Sequence, residues 1–166
     1  MSIYAAGLLY EGFISDRYAS LLTYPFVDKP AAERAYDRLP AGAPAAQRAE
    51  AAQRLVEADP ANPESWNAVA YADWVSHQGL SAAGVTALSH SYAVGFFDRP
   101  SAVWRVSFVV ENWDAVTPAI RQSAMAEAKA ALHDPRLGPE LRARLSGFQD
   151  PNSKLAATLL LAMNPP

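Results

Sequence analysis

Two stretches of this chain follow the same plan: a proline-bounded turn, a tryptophan just inside the helix that follows, and then a helix of small residues. Asp59-Pro60-Ala61-Asn62-Pro63-Glu64-Ser65-Trp66 opens the first stretch. Arg99-Pro100-Ser101-Ala102-Val103-Trp104 opens the second, and His133-Asp134-Pro135 closes it. A unit of this kind cannot bury its own apolar face, so such units must stack on one another. That requirement restricts the fold more than any other feature of the sequence.

Composition agrees. Glycine is scarce at 8 of 166 residues, and runs of Val, Ile and Thr are few, so the raw material for extended sheet is missing. The 51% hydrophobic fraction is rich in alanine, the best helix former. An all-α fold is expected, at a length sufficient to bury a core without covalent staples.

Punctuation places the helices. A first helix is expected from Ile3 to Leu22, ended by Tyr24-Pro25, because a residue before proline is pushed out of the helical region. A short helix from Ala31 to Arg38 leads into the linker Leu39-Pro40-Ala41-Gly42-Ala43-Pro44. An alanine-rich helix spans Ala45 to Ala58. Asn62 caps the next helix, with Pro63 at its first position, and Gly79 ends it. Ser81 and Thr117 cap the partner helices, a short helix runs from Pro139 to Leu145, and Asp150 caps a last one from Pro151 to Met163. The expected organisation is an N-terminal arm or cap over 1–44, helical repeats over 45–135 and capping helices over 136–166.

The repeated portion resembles a degenerate tetratricopeptide repeat, a unit of about 34 residues in two antiparallel helices. The matching residues are Asp59, Pro60, Trp66, Val69, Ala70, Gly79 and Leu88 in the first copy. In the second they are Trp104, Phe108, Ala128, Leu132 and Pro135. Coverage is Ala45 to Pro135. Trp66 and Trp104 stand 38 residues apart, and Ser107 replaces the usual large aliphatic residue, so the repeat is loose.

The resemblance implies stacked antiparallel helical hairpins, a TPR-like solenoid with extra terminal helices. Its concave side would be lined by the first helix of each pair and would grip a peptide or loop of a partner protein. With the tryptophans as register marks, Asn67, Tyr71, Arg105 and Val109 face that groove, and Trp74 and Asn112 join them one turn on. The competing reading makes Tyr71 and Trp74 plain core, since aromatic side chains carry a large apolar payload. The tryptophans themselves are expected beneath the small residues of the partner helix, where a fully buried aromatic is worth roughly 3–5 kcal/mol over alanine.

Other chemistries lack their signatures. Net charge is −3 and the 14 basic residues are scattered, which argues against nucleic acid. Zero cysteines exclude disulfides and thiolate sites. His77, His90 and His133 fall at no metal-ligand spacing, so no metal and no cofactor is expected. No Gly-x-Ser-x-Gly elbow, Ser-x-x-Lys pair or phosphate loop is present, and the expectation is a protein that is not an enzyme. The run Glu111-Asn112-Trp113-Asp114 reads as a cap and loop anchor or as a rim contact. Tyr4, Tyr10, Phe13, Tyr18, Tyr24 and Phe26 make the N-terminal arm aromatic, suited to core or docking.

The leading expectation is a bacterial protein–protein interaction scaffold or adaptor. Similar alanine-rich repeat modules accompany cell-envelope assemblies such as polysaccharide export, pili or secretion, so a membrane-associated complex is the expected context. The alternatives are a glycan or small-molecule binder that uses its aromatic residues, and a self-associating structural subunit, a homo-oligomer. Compartment stays open between cytoplasm and periplasm. The longest apolar run, Leu155 to Met163, is too short for a span of roughly 20 residues. The apolar start and the Asn164-Pro165-Pro166 end suggest a longer product with an anchor upstream.

Overall fold

The computed structural model describes residues 25–165, and over them the fold is helical throughout. The described helices are α1 (Pro25–Asp37), α2 (Ala45–Ala58), α3 (Pro63–His77), α4 (Ala82–Val94), α5 (Ala102–Glu111), α6 (Pro118–His133), α7 (Gly138–Ser146) and α8 (Pro151–Met163). The expected helix over Ile3–Leu22 and the aromatic side chains of the N-terminal arm lie outside the described residues. None of the described helices is long and apolar enough to cross a membrane.

Capping chemistry sets the starts. The Asn62 side chain accepts from the Glu64 N–H, Ser81 from Ala83, Thr117 from Ile120, and Asp150 from both Asn152 and Ser153. Each satisfies donors that a helix start leaves without partners. Bonds to the Ser153 backbone, its hydroxyl and the Asn152 backbone hold the Asp150 carboxyl below its usual range.

Two boundaries differ from the sequence reading. The helix expected from Ala31 begins instead at Pro25 and carries Pro30 in its interior. A proline there removes one intrahelical bond and does not break the helix. The helix expected to stop at Gly79 ends at Gln78, which sits at φ 54° and ψ 34° in the left-handed region, and Gly79 has no positive φ. The Gln78 and Gly79 backbone N–H groups both return to the Trp74 carbonyl, so the turn closes although the left-handed site holds a side chain.

Consecutive helices pack in pairs: α1 on α2, α2 on α3, α3 on α4, then α5 on α6, α6 on α7 and α7 on α8. Three apolar clusters result. Ala52, Ala68 and Ala72 join α2 to α3. Ala70, Leu88, Phe108, Val109, Ile120 and Ala124 join α3 and α4 to α5 and α6. Val106, Val110, Leu132, Leu141, Leu145 and Leu160 join α5 and α6 to the two C-terminal helices.

The tryptophans do not occupy equivalent places. Trp66 stacks on His90 of its partner helix at 4.4 Å, and its indole N–H donates to the Pro60 carbonyl at 2.8 Å. Trp104 turns the other way, stacking on Phe108 at 4.7 Å and meeting Tyr71 of α3 edge-on at 6.4 Å. Both are only partly buried. Counting from each helix start explains the difference: the fourth residue is Trp66 in α3 but Arg105 in α5. One residue is 100° of helix, enough to redirect a side chain onto another neighbour.

Arg105 is fully buried, as is Glu127 of α6, its ion-pair partner. Arg105 Nε donates to Glu127 Oε2 at 2.9 Å and Nη2 to Oε1. Nη1 donates to the Ser91 hydroxyl and carbonyl at 2.9 and 3.2 Å, and Nη2 also reaches the Gly95 and Phe96 carbonyls. The guanidinium lies 4.2 Å from the Tyr92 ring centre. Burial pushes the Glu127 carboxyl up from its usual range, while the bonds from Arg105 pull it back.

Removing one member of this pair leaves a buried charge without compensation. Arg105→Met is therefore expected to cost about 3–5 kcal/mol, and the double change Arg105→Met, Glu127→Leu to recover most of it. Urea unfolding of the singles and the double checks this, and single losses below about 1 kcal/mol would contradict the buried geometry. At the α3 end, Gln78→Gly is expected to stabilise by about 1 kcal/mol, since it relieves the left-handed side chain. Gly79→Ala meets open space and should be neutral or stabilising by about 0.4–1 kcal/mol. The reverse order in thermal unfolding would reassign the left-handed residue to Gly79.

Candidate binding cleft

A cleft of about 420 Å³ opens where α1, α3 and the start of α5 face one another. That volume is within the usual range for ligand sites. Its apolar walls come from Tyr36 of α1, Leu55 of α2, Tyr71 of α3 and Trp104 of α5. Glu33, Asp37 and Glu64 supply all the charged groups in the lining, and all are acidic.

Asn67 lies in the middle of α3, 5% exposed, and lines the cleft. Among the described residues, neither amide atom, Oδ1 or Nδ2, has a hydrogen-bond partner. Leaving a buried polar group unpaired costs roughly 1–3 kcal/mol. The alanines beside it on α3 pack elsewhere: Ala68 and Ala72 against α2, and Ala70 in the central cluster. The amide is enclosed in the wall of the cleft, with two N–H donors and an acceptor oxygen that no described group engages.

Electrostatics at the mouth are one-sided. Glu64 is pushed above its usual range first by partial burial, then by repulsion from Asp98, Glu33 and Asp37, with Lys29 opposing. Lys29 itself is held by Asp59 at 2.6 Å and lies 3.9 Å from Glu33. The guanidinium of Arg48, from α2, sits 5.5 Å from the Tyr71 ring centre and donates to the Ala41 carbonyl. Burial raises the Tyr36 phenol, and Arg48 lowers it.

Of the six residues expected in a groove, the structure brings Asn67 and Tyr71 together in this cleft. Trp74 packs against Tyr71 and Phe108 at 6.2 and 6.4 Å, as part of the central cluster. Arg105 and Val109 are wholly enclosed and present no surface to a partner. Their placement follows from the one-residue difference in helix start, which turns them toward α4, α6 and the core. Asn112 is half-buried, caps α5, and donates from Nδ2 to the Phe108 carbonyl.

Asn112 belongs instead to a second, more open cavity of about 530 Å³ with His77, Trp113, Asp114 and Asp150. Its polar groups are largely engaged within the fold. Asp150 caps α8, Asp114 meets Asn152, and the Trp113 carbonyl accepts from Arg121, whose guanidinium also lies over the Trp113 ring. The run Glu111–Asp114 therefore anchors α8 and α6. Among the described residues, no group of three His, Cys, Asp or Glu converges as metal ligands.

Sequence reasoning missed Tyr36, Glu33, Asp37, Glu64 and Trp104 as cleft residues. Trp104 was assigned to core because the two tryptophans were taken as equivalent. The acidic residues carry no local motif, since only the approach of α1 to α3 and α5 gathers them. A scan against family models, curated proteins and solved structures gives no match to this chain.

Asn67→Leu, near in volume and apolar, is expected to stabilise the free protein by about 1–3 kcal/mol by removing the unpaired amide. Thermal and urea unfolding measure this. A loss of stability of about 1 kcal/mol or more would mean that the amide serves the fold and not the cleft.

Proposed function

We propose that this protein is a non-enzymatic interaction scaffold that holds a segment of another protein in the cleft between α1, α3 and α5. The unpaired Asn67 amide, 5% exposed and set among alanines, carries the reading. A carboxamide can donate to one peptide carbonyl and accept from a peptide N–H, and the aromatic walls offer contact area to flanking side chains. The cleft takes its lining from α1, α3 and α5 with Leu55 from α2, and α3 and α5 are the two helices to which the tetratricopeptide resemblance assigns a groove. The resemblance also supports a bacterial assembly at the cell envelope as the setting.

A photo-crosslinking residue at Tyr71 tests this in lysate of the source organism, beside the same probe at exposed Lys129 on α6. A discrete protein adduct at position 71, absent at 129 and reduced about tenfold by Asn67→Leu, is the expected outcome. Equal labelling at both positions, or an adduct of the chain with itself alone, would overturn the reading, the latter in favour of self-association.

A further inference from the structure

The cleft has a chemical preference that its shape alone does not give. Every charged side chain lining it is a carboxylate: Glu33 and Asp37 from α1, and Glu64 from the first turn of α3. Asp98, on the connection into α5, adds a fourth negative charge that Glu64 feels most strongly among its charged neighbours. Among the described residues, Lys29 acts against this charge at Glu64 and Arg48 acts at Tyr36. Lys29 is engaged by Asp59 at 2.6 Å, and Arg48 lies on the α2 side of Tyr71, bonded to Ala41. The mouth of the cleft is therefore under-compensated, and a bound cation would relieve repulsion that the fold leaves in place.

Two further features point to the same occupant. Tyr36, Tyr71 and Trp104 line the same cleft as the exposed carboxylates and the buried Asn67, and aromatic faces attract ammonium and guanidinium groups. Asn67 is neutral and matches the donor–acceptor pattern of a peptide unit. A single residue contains all the complementary parts: a peptide amide for Asn67, a methylene stem for the rings, and a cationic head for the carboxylates.

We propose that the cleft recognises an arginine or lysine within an extended segment of the partner protein, with Asn67 on the backbone amide and Glu33, Asp37 and Glu64 on the cationic head. This rests on the reading of the cleft as a site for a protein segment. Affinity should fall with salt, because the pairing is near the surface. It should also fall on acidification. Partial burial and the neighbouring carboxylates raise Glu64, so its negative charge is lost at a higher pH on acidification than that of an ordinary glutamate.

The test uses the whole chain and three capped tripeptides, acetyl-Ala-Arg-Ala-amide and its norleucine and glutamate counterparts, with butylguanidinium as a fourth probe. Binding is read by NMR from the Asn67 side-chain amide and the Trp104 indole N–H. The arginine tripeptide is expected to bind about tenfold more tightly than the norleucine one, with the glutamate one weaker still. Glu64→Gln should narrow that ratio without moving the norleucine affinity, and Asn67→Leu should weaken the arginine and norleucine tripeptides alike. Equal binding of arginine and norleucine overturns the charge preference and leaves the cleft as a peptide site. No shift with any tripeptide, while a partner still crosslinks at position 71, overturns the inference but not the function. Butylguanidinium binding as tightly as the arginine tripeptide removes the peptide contact and, with it, the reading on which the inference rests.

Discussion

Arg105 and Glu127 form the interaction that joins the two halves of this molecule. The guanidinium leaves α5, pairs with α6, and spends its remaining donors on the end of α4 and the loop that follows. A cation set against the last carbonyls of a helix also meets the negative end of its dipole. Desolvating two charges is expensive, and a pair of this kind stabilises little over an apolar equivalent. What it supplies is direction: five fixed donors accept only one arrangement of α4, α5 and α6. Gly95 takes part because a Cβ there would collide with the Pro63 ring, so the loop that feeds Arg105 can lie against the start of α3 only without a side chain.

That arrangement determines where the cleft is. With Arg105 drawn inward, Trp104 is turned toward α3, where it meets Tyr71 and forms one wall. Alanines elsewhere bring helices close: Ala52, Ala68 and Ala72 between α2 and α3, and Ala124, Ala128 and Ala131 along the buried side of α6. Gly84 acts similarly at the α3–α4 turn. A Cβ at that position would occupy the space of the Asp73 carboxylate, which accepts from the backbone N–H and hydroxyl of Ser81. Close packing of small residues is rigid, so the cleft walls are fixed by the core behind them.

Much of this architecture could be read from punctuation, because caps act locally. Asn62, Ser81, Thr117 and Asp150 each begin a helix through bonds to residues two or three ahead, and such spacing is visible in one dimension. The all-helical character was equally legible from composition. The orientation of α5 was not. Aligning Trp66 with Trp104 is natural when aromatic residues are the landmarks, yet the position equivalent to Trp66 holds an arginine whose partner is 22 residues further along. Nothing near Arg105 in sequence announces Glu127, since only packing can make a buried ion pair acceptable. The acidic mouth was hidden for the same reason: Glu33, Glu64 and Asp98 come from three separate segments. Asn67 and Tyr71 share one cleft because they lie four residues apart on one helix face, a periodicity that survives an error elsewhere in register.

Asn67 decides whether this cleft is a gap between helices or a place where something binds. A polar side chain in a packed helical face ordinarily bonds to a neighbour or back to its own helix, as the Ser76 and Ser107 hydroxyls do with the carbonyls four residues earlier. Among the described residues Asn67 does neither. Its cost of about 1–3 kcal/mol is borne by the free protein and is offset only when both amide groups find partners. A gap left by imperfect packing would have no reason to collect an unpaired carboxamide, three aromatic walls and an uncompensated acidic rim in one space. The unpaired amide and the crowded carboxylates both cost the isolated chain stability, and those two costs are the ones that the proposed occupant would relieve.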